Sequence, residues 1–551
     1  MSPHPKGSNA RVLLASVFGP YAQDDEFGSR SINPMELYHN QVTRAQGAFS
    51  LRMFHRSWGI VMIQANISAP CTVLDFPTRE IFARELAANR YDIVGISSII
   101  VNVGKVREMC RMVREISPHS EIVIGGHVTA IPGIEKMVDA DHFVRGEGIA
   151  WMRQHLGEDP TAPVHHPTIS STLRRRFLGM PFPDWKGSTA ATIIPSVGCP
   201  MGCNFCTTSA FFGGKGKQIN FLESGDELFE AMRHAESDHG VQAFFVMDEN
   251  FLLNRPRALE LLARMKQERK AWELNVFSSA NAIKKYSMEE LVDLGVSWIW
   301  MGLESPQANY GKLAGTDTMR LTRQLHQNGI RVLGSTIVGL EHHTPGNIVA
   351  EIEHAVRHNT DFHQFMLYTP VPGTPLYREI DEAGRLLEDV DLADIHGQFK
   401  FNFRHEAISR DDSKKFLDYA FLRDFELNGP SLYRICQTTF EGWKKYRDSA
   451  DARIRARFDR EARSLRLVYA SALWAMERKL RATNAAVSDR IRALRQEIER
   501  ALGPLAALSS GIVGPVLLLT AWREERRLAR GKTYEPPTIV ERMNWAPQPG
   551  A

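Results

Sequence analysis

Short apolar runs at residues 12–16, 72–76, 93–98, 122–124 and 142–144 alternate with stretches of helical spacing such as 81–88 and 105–116. Strands separated by helices predict a doubly wound parallel sheet, with its ligand crevice beyond the carboxyl ends of the strands. Residues 17–70 stand out as an insertion. A later stretch rich in proline, histidine and basic residues, including Arg174-Arg175-Arg176 and Pro181-Phe182-Pro183, reads as a linker. A second alternating series places strands near residues 192–196, 243–247, 274–277, 298–302, 332–338 and 365–368. Six such units predict a partial (β/α)6 barrel, whose chemistry collects at the carboxyl ends of its strands. From Phe401 onward strand patterns fade. Ile454, Phe458, Leu465, Tyr469, Leu473, Met476 and Leu480 then recur at helical spacing among many charges, as in a helical domain with a buried stripe and a solvated face. The expected division of this α/β chain is a doubly wound, Rossmann-like domain over 1–156, a linker over 157–188, a barrel over 189–395 and a helical domain over 396–551.

Composition narrows the possibilities. With 551 residues, 43% apolar and 24% charged, the chain has material for two or three cored domains and is not of the disordered class. Its 67 basic and 64 acidic residues generate no global field to attract nucleic acid or an anionic membrane, so any such contact must be local. The start, Met1-Ser2-Pro3-His4-Pro5-Lys6, has no apolar core of a signal peptide, so a cytoplasmic location is expected. Of six cysteines, Cys71, Cys110 and Cys436 are scattered, whereas Cys199, Cys203 and Cys206 share one short window directly after the first barrel strand.

That window, Cys199-Pro200-Met201-Gly202-Cys203-Asn204-Phe205-Cys206, has C-x3-C-x2-C spacing. Three thiolates leave one iron of a four-iron cluster without a protein ligand, and an open iron can bind and reduce a substrate. A structural zinc site is the competing explanation. It needs four closed ligands, and His165 and His166 lie far off without matching spacing.

The spacing, with an aromatic residue before the third cysteine, resembles the radical S-adenosylmethionine (SAM) superfamily. The resemblance implies a 4Fe-4S cluster on Cys199, Cys203 and Cys206, SAM chelated by the open iron, and Phe205 beside the adenine. Asp248-Glu249-Asn250, ending the second barrel strand, resembles the segment at the methionine end of SAM, although the usual double glycine is absent. Gly302-Leu303-Glu304-Ser305, after the fourth, resembles the segment near the ribose. Gly339-Leu340-Glu341 and the Pro370 to Tyr377 loop stand where the family carries adenine and substrate loops.

In the N-terminal domain, Ser97-Ser98, Gly125-Gly126-His127 and Gly146-Glu147-Gly148 recur at strand ends, where glycine lets a flat or bulky ligand approach the backbone. No G-x-G-x-x-G follows the first strand, which counts against a dinucleotide. Placed before such a barrel, the domain resembles the cobalamin-binding domain of one radical SAM subclass. The D-x-H-x-x-G motif that supplies a histidine to cobalt is absent, so cobalt coordination through histidine is not expected. His127 is expected to make loop contact only.

Between Ala501 and Trp522 there is no charge, with Arg495 and Arg500 before and Arg523, Arg526 and Arg527 after. Gly503, Pro504, Gly511, Gly514 and Pro515 make it a poor bilayer span, so burial inside the protein is the first expectation. A peripheral membrane contact that draws a substrate from the bilayer is the alternative.

Taken together, the resemblance implies a cobalamin-dependent radical SAM methyltransferase. Such an enzyme uses the cluster, SAM and cobalamin to methylate an unactivated carbon, with a flavodoxin- or ferredoxin-type electron donor. Similarity to hopanoid and other lipid methylases, carried by residues 32–39 and 534–538, implies a small, hydrophobic, polycyclic or isoprenoid substrate. Radical carbon–carbon coupling or cyclisation without methyl transfer is one alternative, and a cobalamin-binding sensor with a vestigial barrel is another.

Overall fold

The computed structural model describes residues 2–18, 27, 37–170, 173–177, 180–181, 190–304, 311, 313, 315–530 and 537–545. Ser305 and most of the segments 32–39 and 534–538 lie outside the described residues. The strands of the two large sheets, numbered in chain order, are β1 (Val12–Ser16), β2 (Cys71–Asp75), β3 (Ile93–Ser97), β4 (Glu121–Gly125), β5 (His142–Phe143), β6 (Ile169–Ser170), β7 (Ala191–Ile193), β8 (Ala243–Val246), β9 (Glu273–Phe277), β10 (Val296–Gly302), β11 (Arg331–Val338), β12 (Phe362–Leu367) and β13 (Ile539–Met543).

In the first sheet β2-β1-β3-β4-β5 are parallel, with Leu13 opposite Thr72 on one side and Val94 on the other. Every residue of β1 and β2 is buried, which is why these runs carry no polar alternation. Helices Arg79–Ala88 and Val103–Ile116 follow β2 and β3. The chain leaves β1 towards β2 and the later strands stack on β1's other side, so the loops part at β1/β3 and open a crevice. One strand departs from expectation. β13 pairs antiparallel with β2, Ile539 opposite Asp75 and Met543 opposite Cys71, so the C-terminal region contributes to the N-terminal sheet. Arg56 rivets this edge, donating to Asp75 at 3.1 Å and to Glu541 at 2.8 Å.

The second sheet runs β12-β11-β10-β9-β8-β7-β6, its first six members parallel as expected for a partial barrel. The predicted linker is partly structure: β6 adds antiparallel to β7, and Leu173–Phe177 pairs with Arg52–Phe54 of the insertion. Ile169 is an isolated buried apolar residue in a polar stretch, too short a run to read as a strand.

Helices Arg410–Asn428, Ser431–Tyr446, Ala452–Ser464, Ala470–Leu480, Ala485–Leu502 and Pro504–Leu528 form the C-terminal region. The predicted stripe divides between two cores. Ile454 and Phe458 pack into the barrel core, while Leu465, Leu473, Met476 and Leu480 build a core of their own with Ile491 and Ile498. The insertion joins the parts: Gln46 and Ser431 exchange two hydrogen bonds of 2.9 Å, and Ala48 and Phe49 enter the helical core.

Burial of the apolar stretch between Ala501 and Trp522 is only half met. Pro504–Leu528 packs one face on Ala470–Leu480, so closely at Gly514 that a Cβ there would meet the Trp474 ring at 2.8 Å, and leaves the other face in solvent. The predicted interruptions do not break it: Pro504 sits in the first turn, glycine inside a packed helix costs about 1 kcal/mol, and Pro515, inside the helix, is carried at about 3 kcal/mol.

Candidate active site

Beyond the carboxyl ends of β1, β3 and β4 lies a cavity of about 580 Å³. Ser97, Ser98, Gly125, Gly126, His127, Gly146, Glu147 and Gly148 all line it. Gly126 is fixed by geometry: its φ is +81° and a Cβ would stand 2.4 Å from the Ser98 carbonyl oxygen. The Glu147 carboxylate accepts from the backbone N–H groups of Ile149 and Ala150 and so caps helix Gly148–His155, a task the sequence did not reveal. The opposite wall comes from the barrel and the insertion, with Phe211, Phe212, Phe221, His55 and Trp58.

The cysteines occupy the loop that leaves the short strand Ser196–Val197 and enters helix Thr207–Phe211. The Cys206 backbone N–H donates to the Cys203 carbonyl at 3.0 Å, and the Ser209 hydroxyl donates to the Cys199 carbonyl at 2.7 Å. All three cysteines are half-buried and line a second cavity, of about 630 Å³, at the barrel mouth. Burial pushes the Cys199 thiol up to about 11 and raises that of Cys206, which disfavours their thiolates while no cation is bound. A bound cation reverses that preference, and three thiols without a fourth match a site-differentiated cluster. Among the described residues Cys71, Cys110 and Cys436 are buried elsewhere.

Phe205, Glu249, Asn250, Gly302 and Glu304 line the same cavity. Asn250 is held by Ser279, whose N–H donates to its Oδ1 at 2.9 Å. Burial and the neighbouring Asp248 raise the Glu249 carboxyl to about 7. Glu304 adopts φ +45°, a left-handed conformation that costs a non-glycine residue about 1 kcal/mol. Asp248 departs from the expected arrangement. It lines neither cavity, and its carboxylate is ion-paired with the buried Arg257 guanidinium while accepting from the Ser196 hydroxyl at 2.8 Å. Its neighbour Glu249 is the acid presented to the cavities.

The two cavities share a wall: Gln41, Ile99, His127, Thr208 and Glu249 line both. His127 stacks on Phe211 with centroids 4.5 Å apart, its Nε2 is buried without a hydrogen-bond partner, and burial lowers its pKa to about 4, so it is neutral at pH 7. Gln41 ends a ladder across the barrel. Trp300 Nε1 donates to Ser335 Oγ at 2.7 Å, Ser335 to Gln364 Oε1 at 3.0 Å, and Gln364 Nε2 to Gln41 Oε1 at 2.9 Å. Sequence reading missed this ladder. Phe277 could have been found, since it faces inward where Leu274 and Val276 of the same strand enter the core. Gln41 lies in the insertion and carried no signal.

These residues suit the implied groups: a glycine-lined crevice open to a flat ligand, and three thiols facing a cavity with room for a nucleoside. The sequence profile of the radical SAM superfamily matches residues 193–358, and that of the B12-binding domain matches residues 49–153. The chain is similar to an uncharacterized methyltransferase of Pyrococcus horikoshii, 23% identical over 52% of this chain and 68% of that protein. It is also similar to the hopanoid C-2 methylase of Rhodopseudomonas palustris, 24% identical over 60% of this chain and 63% of that one. Its fold resembles that of the radical SAM methyltransferase TsrM from Kitasatospora setae, solved with cobalamin and a [4Fe-4S] cluster. The TM-score is 0.50 at 16% identity, over 83% of this chain and 99% of the other.

Proposed function

We propose that this chain, which belongs to the cobalamin-dependent radical SAM methyltransferases, methylates an unactivated carbon of a hydrophobic polycyclic or isoprenoid lipid. The observation that carries the reading is the wall common to both cavities, which sets a glycine-lined crevice of about 580 Å³ directly beside the cysteine-lined barrel mouth. When bound, the groups would supply hydrogen-atom abstraction and methyl donation.

The protein's part is positioning. Cys199, Cys203 and Cys206 would hold the cluster, Phe205 would lie beside the adenine, Glu249 and Asn250 would serve the methionine end of SAM, and Gly302 and Glu304 the ribose, all of them lining one cavity. The loops at Ser97, Gly125 and Gly146 would cradle the corrin. Phe277, Trp300, Ile337, Met366 and Val371 exclude water from the barrel mouth, which protects a carbon radical from quenching and suits an apolar substrate. The similarity to a hopanoid methylase supports the same substrate class. A flavodoxin- or ferredoxin-type protein delivers the electron.

The test is anaerobic reconstitution with iron, sulfide and cobalamin, followed by methyl-deuterated SAM and a lipid extract, read by mass spectrometry. A labelled lipid and 5'-deoxyadenosine are expected, and Cys203→Ala abolishes both. A labelled water-soluble product overturns the lipid assignment, deoxyadenosine with an unlabelled coupled product overturns methyl transfer, and no deoxyadenosine points to a sensor.

A further inference from the structure

Helix Pro504–Leu528 is apolar on two sides. Its buried positions, Ala506, Ser510, Gly514, Leu517, Ala521 and Glu524, recur every three or four residues and seat it on the helical domain. On the opposite side Leu505, Leu508, Ile512, Val516, Leu519 and Trp522 recur at the same spacing and are exposed, Ile512 by 63% and Leu505 by 62%. Seven of the fourteen exposed large apolar side chains among the described residues belong to this one helix, so the exposure is concentrated rather than scattered. Arg500 and Arg523 are the first charges met on either side of the stripe, and Arg526 and Arg530 are exposed beyond it.

The helix is long and apolar enough to cross a bilayer. Its packing forbids that, because one face is committed to the protein: Ser471 Oγ meets Ser509 Oγ at 2.7 Å, and Gly514 lies against Trp474. An exposed apolar stripe, a tryptophan at its end and arginines at its borders match the depth profile of a leaflet, where acyl chains, interface and anionic headgroups follow one another. Arginines at both ends make anionic lipid the charge-complementary occupant.

The helix also touches the segment that builds the cavity wall. Leu517 and Ala521 share a core with Ala48 and Phe49, and Arg52 approaches Glu524 at 3.9 Å. The same stretch carries Gln41, which lines both cavities, and His55, which lines the first.

We propose that the exposed face of Pro504–Leu528 lies in the plane of an anionic leaflet, with Arg523 and Arg526 among the headgroups, and holds the cavities at the surface from which substrate enters. The substrate clause rests on the lipid reading above; the membrane contact does not.

The full chain with its cluster reconstituted is floated with vesicles of phosphatidylglycerol and phosphatidylcholine, and with phosphatidylcholine alone. Binding to the mixed vesicles is expected, weakened by salt. Leu508→Asp with Ile512→Asp lowers the bound fraction by about tenfold, and Arg523→Glu with Arg526→Glu removes the preference for phosphatidylglycerol. Both variants keep the cluster absorbance and a Tm within about 2 °C, because the altered side chains are in solvent. Wild type that fails to float, or an aspartate variant that floats like wild type, overturns the proposal. So does a wild-type dimer by light scattering that the aspartate variant dissolves, since a second copy then covers the face. Labelled lipid formed in detergent without vesicle binding overturns the contact and leaves the substrate reading intact; vesicle binding with a water-soluble product does the reverse.

Discussion

The imidazole of His127 and the ring of Phe211 stack with centroids 4.5 Å and planes 26° apart, joining the loop after β4 to the helix that follows the cysteines. The contact couples the crevice of one domain to the metal loop of the other. Stacked pairs contribute about 1 kcal/mol beyond burial. A double-mutant cycle with His127→Ala and Phe211→Ala should therefore show a coupling of about 1 kcal/mol in urea unfolding, with weaker cobalamin retention in each single variant. Strict additivity refutes the coupling.

Asp248 tests whether the acid at the end of β8 binds cofactor or holds the fold. Its partner Arg257 is fully buried, and an unpaired charge there costs about 3–5 kcal/mol. Asp248→Asn should lower stability by that order while leaving the Kd for SAM of the folded fraction within about twofold. Glu249→Gln should do the opposite. Equilibrium dialysis and urea unfolding separate the outcomes.

The ladder from Trp300 to Gln41 predicts a cost at its centre. Gln364→Leu removes one hydrogen bond from each of the half-buried Ser335 and Gln41, and a hydrogen bond is worth about 1 kcal/mol. Product formation should fall by about tenfold or more with the iron content unchanged. Gln364→Glu, which keeps an acceptor for Ser335, should recover part of the loss.

Acid should destabilise the fold through histidines kept neutral. His166 Nε2 accepts from the Ile194 N–H at 2.8 Å, and His343 Nδ1 accepts from the Gly339 and Leu340 N–H groups at 3.0 and 3.2 Å. Burial lowers both to about 4. The unfolded chain binds these protons at about pH 6.5 and the folded chain does not, so their contribution is intact above pH 6.5 and is lost as pH falls towards 4. Each should cost roughly 1 kcal/mol between pH 6.5 and 5.5, and His343→Gln should flatten the slope of stability against pH.

The strands β1–β5 and β7–β12 were legible because short buried strands must be apolar and the helices between them must not be. Cys199, Cys203 and Cys206 were legible because ligand spacing is local. The diversion of Asp248 to Arg257 was not, since a carboxylate at a strand end looks the same whether it faces a cavity or a guanidinium. Nor was the burial of Pro504–Leu528: with apolar residues on both sides, hydrophobicity does not say which side meets the domain. The Gln41 wall depends on tertiary placement of an irregular segment, which no periodicity encodes.

The β13 edge has a consequence for how the molecule comes into being. Gln64 donates to the Glu541 carbonyl across 477 positions of chain. A ribosome releases the first domain long before the strand that completes its sheet exists, so β2 waits with an open edge while barrel and helices are made. Closure of that edge is then the last step in assembling the N-terminal sheet, possible only once synthesis has passed Met543.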